Sequence, residues 1–470
     1  MNAVVKKSPR KASFEAGVAL MQESLKKEGL AHYFANAKDP LHAAFLAKAA
    51  LHSGSSGKPL MGDSARQAFL ALKDENRTGK GLAYIHVPFC QTRCLYCMFY
   101  QNPLDEEESR VFTKALIKDL AAWENENAQK SGLIHALYFG GGTPTALLAD
   151  DLKEILLACK KYLPLANDCE ITLEGRIFNF GDDKIEAALE GGVNRFSLGV
   201  QTFDSTIRQS VLRVDGKDEI IRRLFKMLSY DNAAVVIDLI YGFPGQTMAV
   251  WEDDVKTAAE LPLDGVDCYQ LNVFNQSPMA RYIENGNMPA AANTAQKADM
   301  FARSVEMLSH ANWQRISNNH WRKTHRERNI YNELGKSACD CLAFGAGAGG
   351  RLKGHGLMME RQLQTWLNLV EQNQRPVAFV SLPEQNGVLL KTISSQMELG
   401  SISFSKLEKE FDVPLTEIFQ PITQQWVEAG LFTQQGEWFY QTIAGQFWHV
   451  TMAQLLLDFL KKHLSQENAP

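Results

Sequence analysis

The chain has 470 residues, of which 45% are hydrophobic and 22% charged, and its formal net charge is −5. This composition excludes a disordered chain and predicts one large domain with one or two small ones. The slightly acidic balance argues against a protein that works mainly on a nucleic-acid backbone. Because there is no long apolar run and no apolar segment behind the basic N-terminus, we expect no membrane span and no export. Eight cysteines in so long a chain do not form a disulfide framework, so we expect a reducing, cytoplasmic location.

Residues 1–80 are predicted to form an N-terminal helical arm without a catalytic motif. Helical periodicity covers 14–29, and 41–53 is predicted to form a second short helix. The sequence GSSGK at 54–58 marks a break. We therefore expect the chemistry to lie further along the chain.

Three cysteines directly follow an apolar run, LAYIHVPF, that is typical of a β-strand. They are Cys90, Cys94 and Cys97, at C-x3-C-x2-C spacing. A cubane [4Fe–4S] cluster takes one thiolate per iron, so three cysteines leave one iron open for another ligand, which is a catalytic feature. A zinc or redox thiol site is the alternative, but zinc needs a fourth Cys or His at short spacing, and none follows. We therefore favour the cluster.

Strand and helix patterns alternate from about residue 81 to 317. The predicted strands are 82–89, 134–140, 169–175, 193–200, 234–242 and 266–274. The predicted helices are 109–126, 149–163, 182–192, a pair within 204–230, and 247–261. Such alternation indicates parallel strands with right-handed crossovers, so the predicted fold is α/β with a partial (βα)6 barrel. In barrels of this type the chemistry lies at the carboxyl ends of the strands.

Glycines and polar residues stand at the ends of the later strands, where a site of this kind is expected. GGGTPT at 140–145 follows the second strand, and its glycines let backbone atoms approach a ligand closely. Glu174 ends the third strand, and its carboxylate can accept hydrogen bonds from ribose hydroxyls. Gln201 follows the fourth strand, Arg213 lies twelve residues further on, and Asp238 belongs to the fifth. The alternative for Arg213 and Asp238 is an ion pair or a capping role in the barrel wall.

The cysteine spacing, with Tyr96 as the aromatic residue before the third cysteine, resembles the radical S-adenosylmethionine (SAM) signature. GGGTPT is similar to a motif of the HemN-like radical SAM family, and the resemblance covers about 80–350 strongly and the C-terminal region more loosely. It implies that the three cysteines hold a [4Fe–4S] cluster and carry the catalysis. It also implies that SAM binds the open iron and is cleaved by one electron to methionine and a 5′-deoxyadenosyl radical.

The same resemblance implies which residues contact SAM. They are Tyr84, Gly141, Gly142, Thr143, Glu174, Gln201, Arg213 and Asp238. Ser277 and Gly349 match only by approximate placement and would act through backbone atoms. Tyr96 would shield the cluster, and His86 would form a hydrogen bond near it.

The chain beyond residue 317 is less regular. We expect 318–360 to be an extension that completes the SAM and substrate site, and 361–470 to be a C-terminal HemN-like cap. The helices and hairpin pattern of the cap resemble a winged-helix fold, but no basic recognition face is evident, so a cap over the 81–317 barrel is favoured over a DNA reader. Cys339 and Cys341 are expected on alternate positions of a strand rather than in a second cluster.

Two groups of residues could contact a haem, although the sequence favours ordinary roles for both. Arg and His concentrate in HWRKTHRER at 320–328, which would suit porphyrin propionates, but such a run is more often a solvated loop. The arm contains three histidines, which are His32, His42 and His52. Although His is a common axial ligand, a lone His without a partner motif is weak evidence.

Three branches of the resembling family compete. Oxygen-independent coproporphyrinogen III oxidases carry a further cysteine two places after the third, where this chain has Phe99. HemW-type haem chaperones tend to have Asp-Phe after the third cysteine and to begin almost at the barrel, whereas this chain has Met98-Phe99 and a long arm. The chain is most similar to the ChuW/HutW haem-utilisation group of radical SAM methyltransferases, which open the haem ring anaerobically.

That similarity implies two SAM molecules per turnover, one for the radical and one for a methyl group. The products would be free iron and a methylated linear tetrapyrrole. The implied partners are haem or a related tetrapyrrole as substrate and a flavodoxin-like or flavin-reductase electron donor. We expect no nucleic-acid or membrane partner and a monomeric protein.

Overall fold

The computed structural model describes residues 29–50 and 57–467. Its centre is a 13-stranded sheet that contains seven parallel strands. These are β1 (Gly81–Val87), β2 (Ile134–Gly141), β3 (Leu165–Gly175), β4 (Arg195–Gln201), β5 (Ala234–Tyr241), β6 (Gly265–Gln270) and β7 (Asp340–Phe344). Their order across the sheet is β7-β1-β2-β3-β4-β5-β6. The six predicted strands are confirmed, and β7 is a seventh parallel strand that pairs with β1.

Helices connect the parallel strands as the alternating pattern predicts. They are α1 (Glu106–Ala122), α2 (Ala149–Tyr162), α3 (Asp182–Gly191), α4 (Lys217–Ser229) and α5 (Met248–Glu260), and α6 (Thr294–His310) follows β6. The short helix Ser205–Ser210 precedes α4, which confirms the predicted pair. Each helix covers the sheet with an apolar stripe, such as Phe112, Leu116 and Leu120 on α1. Since both faces of the sheet are covered, a central strand such as β4 is buried along its whole length.

Antiparallel strands extend both edges of the parallel core, so among the described residues the sheet remains open. His320–Arg322 and then Gln314–Arg315 extend it beyond β6. Beyond β7 follow Gly349–Leu352, His355–Met359, Val377–Ser381 and Pro59–Met61. The predicted partial barrel is therefore confirmed. Strands from the 318–360 extension, together with strands that precede and follow this extension in the chain, complete the two sides of the barrel.

The N-terminal arm differs from its prediction. The predicted helix 14–29 lies, apart from its last residue, outside the described residues, as do His52 and most of the break at 54–58. The predicted helix 41–53 is described as far as residue 50, and over that part the structure has a single helical turn, Pro40–Ala43. A 3-10 turn precedes it, and after residue 57 come the strand Pro59–Met61 and an unpredicted helix, Gly62–Leu72. Since Pro59–Met61 pairs with Val377–Ser381, this end of the arm belongs to the main sheet.

Of the predicted cap 361–470, Val377–Ser381 belongs to the main sheet. The part from Gly387 onward has the predicted winged-helix-like arrangement. Its three-stranded sheet consists of Ser401–Ile402, Phe432–Gln435 and Trp438–Gln441. Its helices are Gly387–Leu399, Phe404–Phe411, Leu415–Glu428, Ile443–Phe447 and His449–Glu467. The remaining helical segments of the chain are Gly29–Tyr33, Asn127–Lys130, Pro144–Ala146, Pro278–Glu284, Ile330–Lys336 and Leu363–Glu371. Every helix in the described ranges is too short or too polar to cross a lipid bilayer.

Candidate active site

The cysteine loop lies at the carboxyl edge of the parallel sheet, directly after β1. Phe89–Cys90 forms a short parallel pair with Asn102–Pro103, which closes the loop at its base. The Leu95 amide donates to the carbonyl oxygen of Val211 (3.5 Å), which ties the loop to the segment after β4. Cys90 and Cys94 are buried and Cys97 is half-buried. The structure therefore places the three thiols in a sheltered loop at the edge where chemistry is expected.

The environment of the thiols fits iron–sulfur ligation. Thr143 Oγ1 donates to Cys90 Sγ (3.4 Å), and the Phe99 amide donates to Cys97 Sγ (3.3 Å). Burial raises the pKa of Cys90 to about 11 and also raises that of Cys97. Burial acts on Cys94 in the same direction, but nearby guanidinium groups outweigh it and lower the pKa of that thiol. Hydrogen bonds and cations of this kind stabilise thiolates and tune a cluster.

The spacing of the thiols does not suit a single bound ion. Within the described residues, no three Cys, His, Asp or Glu side chains are grouped so that they could hold one metal ion. A cubane cluster does not need its ligands to meet at one metal ion, because each cysteine binds a different iron. The three cysteines would hold a [4Fe–4S] cluster, and three ligands leave its fourth iron open.

The GGGTPT segment packs directly against the base of the cysteine loop. The Gly142 amide donates to the carbonyl oxygen of Val87 and the Thr143 amide to that of Phe89, both at 2.8 Å. A Cβ on Gly142 would overlap the carbonyl oxygen of Phe89. Gly141 has φ of +106°, and a Cβ there would lie 2.6 Å from the His86 ring. Only glycine fits both positions, so the segment holds its backbone beside the thiols.

Gln201 and Arg213 meet close to the cysteine loop. Gln201 has a left-handed backbone, with φ of +74°, and its buried side-chain oxygen has no hydrogen-bond partner among the described residues. Arg213 Nη1 donates to the carbonyl oxygen of Gly199 (2.6 Å), and its Nη2 donates to the Tyr96 hydroxyl (2.9 Å). Among the residues that the structure describes, Arg213 therefore neither forms a barrel-wall ion pair nor caps a helix. It fixes Tyr96 beside Cys94, and the Gln201 oxygen remains available to a ligand.

Glu174 of β3 and Asp238 of β5 are half-buried carboxylates of the partial barrel of parallel strands, the half-barrel. Burial and the charge of Asp238 raise the pKa of Glu174 to about 8, against a hydrogen bond from the Tyr138 hydroxyl. Burial and the charge of Asp267 raise the pKa of Asp238 to about 7. Asp238 has no ion-pair partner within 4 Å among the described residues, so the ion-pair alternative is not observed for this residue either. Two half-buried carboxylates without an ion-pair partner among the described residues are suited to ribose hydroxyls or to a cationic ligand.

Tyr84 and His86 connect the interior of the half-barrel with the cysteine loop. The Tyr84 hydroxyl lies 3.0 Å from His86 Nδ1, and Gln101 Nε2 lies 3.0 Å from His86 Nε2. Burial and the charge of Arg361 lower the pKa of His86 to about 4, so the imidazole is neutral. His86 thus forms the hydrogen bonds expected of it near the cluster loop.

Ser277 and Gly349 occupy different surroundings from the other predicted contacts. The Ser277 side chain caps the helix Pro278–Glu284 by accepting from the Ala280 amide (3.1 Å). That helix contacts the cysteine loop, since the Met279 amide donates to the Leu95 carbonyl oxygen (3.0 Å). Gly349 lines an interior cavity and makes no close backbone approach. The tight approach in this segment is at Gly345, where a Cβ would overlap the carbonyl oxygen of His86.

Sequence reasoning missed a buried arginine that positions the cysteine loop. Arg176 Nη1 donates to the Thr92 carbonyl oxygen (3.2 Å) and to Thr92 Oγ1 (2.8 Å), two residues from Cys90. The signal was its position, two residues after Glu174 at the end of a predicted strand, where site residues are expected.

The basic run HWRKTHRER lies near the amino ends of the parallel strands, away from the carboxyl ends that the cysteine loop follows. Arg326 contacts Asp231 and the Ala233 carbonyl oxygen, and Arg328 contacts the Asp168 carbonyl oxygen. These partners precede β5 or belong to the start of β3. His320 is buried, with Nδ1 2.6 Å from Asp267 and Nε2 3.0 Å from Glu327, which also accepts from Arg195. The run is therefore structural, and its arginines do not reach the carboxyl ends of the strands, where the cysteine loop lies.

A cavity of about 470 Å³ lies between the two sides of the open sheet. Asp267 and Tyr269 of β6 line one side, and Cys341 of β7 lines the other together with the strand that contains Gly349. The Tyr331 ring forms part of the wall and lies 4.6 Å from the Tyr138 ring and 6.3 Å from the Tyr84 ring, measured between centroids. The cavity therefore adjoins residues that are predicted to contact SAM.

The fold and the cysteine site are those of a radical SAM protein, and comparison with known proteins agrees. A model of the Radical SAM superfamily matches residues 84–258, from β1 to α5. The chain is 39% identical over 392 residues to an anaerobilin synthase of Escherichia coli O157:H7, which covers 83% of this chain and 86% of that one. The chain belongs to the radical SAM superfamily, within its HemN-like family, whose members use a [4Fe–4S] cluster and SAM.

Two further comparisons show how similar the chain is to other members of the family. It is 28% identical over 300 residues to a haem chaperone HemW of Synechocystis, covering 61% of this chain and 71% of that one. Its fold resembles the solved coproporphyrinogen III oxidase HemN of Escherichia coli, with a TM-score of 0.71 over 83% of this chain and 93% of that one. At 20% identity this second likeness concerns the fold alone.

Proposed function

We propose that the chain is a radical SAM methyltransferase that opens the haem ring without oxygen and releases iron and a methylated linear tetrapyrrole. The observation that carries this proposal is the 39% identity to an anaerobilin synthase along most of both chains. Several HemW chaperones and coproporphyrinogen III oxidases are 24–30% identical to the chain. Phe99, which stands where the oxidases carry a further cysteine, also argues against oxidase activity.

Each group of site residues has a part in this proposal. The cysteines hold the cluster, and the cluster with SAM supplies a carbon radical. The proposed SAM contacts are Tyr84, Gly141, Gly142, Thr143, Glu174, Gln201, Arg213 and Asp238, with the backbone of Ser277 and Gly349 as weaker candidates. Glu174 and Asp238 would receive ribose hydroxyls or the sulfonium charge, because both are free of ion pairs among the described residues. In this proposal the half-barrel excludes water from the reacting atoms.

The remaining parts of the proposal concern turnover and partners. Two SAM molecules would be used per haem, one for the radical and one for the methyl group. A flavodoxin-like or flavin-reductase donor would supply low-potential electrons to the monomeric protein. A reducing, cytoplasmic location belongs to the proposal, because the cluster requires three of the cysteines as thiolates.

An anaerobic turnover assay tests the function. Reconstituted protein is incubated with haem, dithionite and SAM whose methyl group carries deuterium. We expect the Soret band to disappear, iron and methionine to be released, and the linear product to carry the deuterated methyl group. An unchanged Soret band with tightly bound haem would instead identify a haem carrier. Decarboxylated product from coproporphyrinogen III, with haem left intact, would identify an oxidase.

A further inference from the structure

The interior cavity has an uncompensated positive charge. Its charged lining consists of Asp267, His320, Lys336, Arg351, Lys391 and Glu398. Asp267 is held by His320 at 2.6 Å, and Lys336 pairs with Glu398 at 3.0 Å. Neither the Arg351 guanidinium nor the Lys391 ammonium has a hydrogen bond or ion pair within the described parts of the chain. Two cations are therefore left facing the cavity.

The buried network behind the cavity does not supply the missing negative charge. Glu327 accepts from Arg195 and His320, and Asp267 contacts the other nitrogen of His320. His320 lies between two carboxylates. Burial lowers the pKa of His320, but the two carboxylates outweigh burial and raise it to about 9. Two cations and two anions thus balance one another in the network, and Arg351 and Lys391 remain unneutralised.

The two unpartnered cations lie near one another and are partly shielded from water. Arg351 stands opposite Cys341 of β7, and Lys391 belongs to the helix Gly387–Leu399. Burial, then the positive charges of Arg351 and Lys336, lower the pKa of Lys391. Like charges in partial burial are unfavourable unless an anion joins them. This arrangement is typical of a site for carboxylate or phosphate groups.

The rest of the cavity suits a flat aromatic ligand. Tyr269 and Tyr331 contribute aromatic walls, and Gly349 and Gly350 leave one side without side chains. The volume lies within the range of roughly 300–1,000 Å³ that small-molecule sites occupy. Tyr331 joins this wall to Tyr84 and hence to the SAM side of the half-barrel.

We propose that Arg351 and Lys391 bind the two propionate carboxylates of haem, with the macrocycle against Tyr331. This assignment rests on the proposed function, since it takes haem as the substrate. Haem carries two propionates, whereas coproporphyrinogen III carries four, so two unpartnered cations match haem. The basic run at 320–328 cannot fill this role, because its arginines are held near the amino ends of the parallel strands.

The test compares haem with haem dimethyl ester, in which both propionates are esterified. Each is titrated anaerobically into wild-type protein, Arg351→Gln, Lys391→Gln and the double variant, and binding is read from the Soret band. Since one charge-assisted contact is lost at each position, haem binding should weaken about tenfold per substitution, while ester binding should stay the same. Lys409→Gln, which removes an exposed cation from the cap, is the matched control and should bind both ligands like wild type.

SAM affinity is measured on every variant and should not change, which shows that the SAM site remains folded. Variants that bind haem like wild type, or that lose haem and its ester equally, would overturn the propionate assignment and leave the proposed function standing. Wild-type protein that binds haem in preference to its ester but never consumes it would overturn the proposed function and leave the assignment standing. A wild type that binds neither ligand would overturn both.

Discussion

Gln201 combines two unfavourable features at the carboxyl end of β4. Its backbone is left-handed, and its side-chain oxygen is buried without a partner among the described residues. Each feature costs on the order of 1–3 kcal/mol in a folded protein. Such costs persist where a ligand repays them, and a donor group on SAM beside the cysteine loop is the ligand that this position fits.

Replacement of Gln201 by alanine should therefore separate binding from stability. We expect Gln201→Ala to weaken SAM binding by about fivefold or more, because one buried hydrogen bond is lost. The melting temperature should stay within a few degrees of wild type, because no bond of the folded protein is removed. Equilibrium dialysis with labelled SAM and thermal unfolding measure the two effects. Gln129→Ala is the control, since Gln129 bonds two carbonyl oxygens of the fold and its loss should lower stability without affecting SAM.

The interior carboxylates predict how stability depends on pH. Folding raises the pKa of Asp238 from 3.8 to about 7 and that of Glu174 from 4.5 to about 8. Between about pH 4 and pH 8 the folded chain therefore holds more protons than the unfolded chain. The resulting stabilisation is complete below about pH 4 and is lost as the pH rises through 7 to 8. The charged groups near Asp238 include Asp267, Glu174, Arg195, His320 and Arg213.

Asp238→Asn should flatten this dependence, because the variant has no proton to lose at that position. We expect the denaturant midpoint of the SAM-free protein to fall less between pH 5.5 and 8.5 than in wild type. Asp253→Asn removes an exposed carboxylate from α5 and should follow the wild-type profile. A wild-type midpoint that rises over this range would contradict the assignment.

Single residues in the site were predictable where a pattern placed them at a strand end. Glu174, Gln201 and the glycines were found in this way. Arg351 and Lys391 could not be found, because a lone cation in a sequence does not show whether an anion lies near it in space. Arg326 shows the converse, since it belongs to a basic run of the kind that suits propionates but contacts Asp231 in the structure.

At the scale of elements, the glycine segment after β2 is the strictest geometric requirement. Two backbone hydrogen bonds of 2.8 Å hold it to the base of the cysteine loop, and Gly142 leaves no room for a side chain. Any displacement of this segment also moves Thr143, which donates to Cys90. A change that displaces the glycine segment should therefore also disrupt the cysteine loop.

Gly142→Ala tests this coupling. The added Cβ would overlap the Phe89 carbonyl oxygen, so the segment must shift, and we expect iron content after reconstitution to fall to less than about half of wild type. Gly387→Ala adds the same methyl group where it meets only an ordinary contact, 3.5 Å from Glu384, and should load iron normally. Full iron content in Gly142→Ala would show that the segment does not support the cluster.

The parallel strands and their helices were predictable because each is a continuous local pattern. Two elements were not. The position of β7 next to β1 depends on pairing between distant parts of the chain, which a local pattern cannot show. The helix Gly62–Leu72 was missed because it buries only Ala65, Phe69 and Leu72, and it begins with a glycine and two polar residues.

At the scale of the whole molecule, the arm and the cap form one structure. The Trp426 indole donates to the Tyr33 carbonyl oxygen (2.8 Å), and the Trp448 indole donates to the Leu41 carbonyl oxygen (2.9 Å). The Tyr33 hydroxyl also donates to Asp458 (2.6 Å). Residues from the two ends of the chain thus stabilise each other, a relation that separate patterns in the sequence could not indicate.

Trp426→Phe should lower the local stability of the arm and of the cap together. The change leaves the Tyr33 carbonyl oxygen without its donor and creates a small cavity, at a cost of about 2–4 kcal/mol. We expect faster hydrogen exchange in Leu415–Glu428 and His449–Glu467, with little change in β1 to β5. Trp438→Phe, at a half-buried position of the hairpin, should exchange like wild type. Faster exchange throughout the sheet would contradict this separation.

The central claim is that three cysteines hold a cubane cluster and leave one iron for SAM. The most direct measurement is the electron paramagnetic resonance spectrum of the reconstituted, dithionite-reduced protein, recorded anaerobically before and after SAM is added. Ligation of the open iron should change the g values of the cluster signal. A spectrum that is the same with and without saturating SAM would contradict the claim.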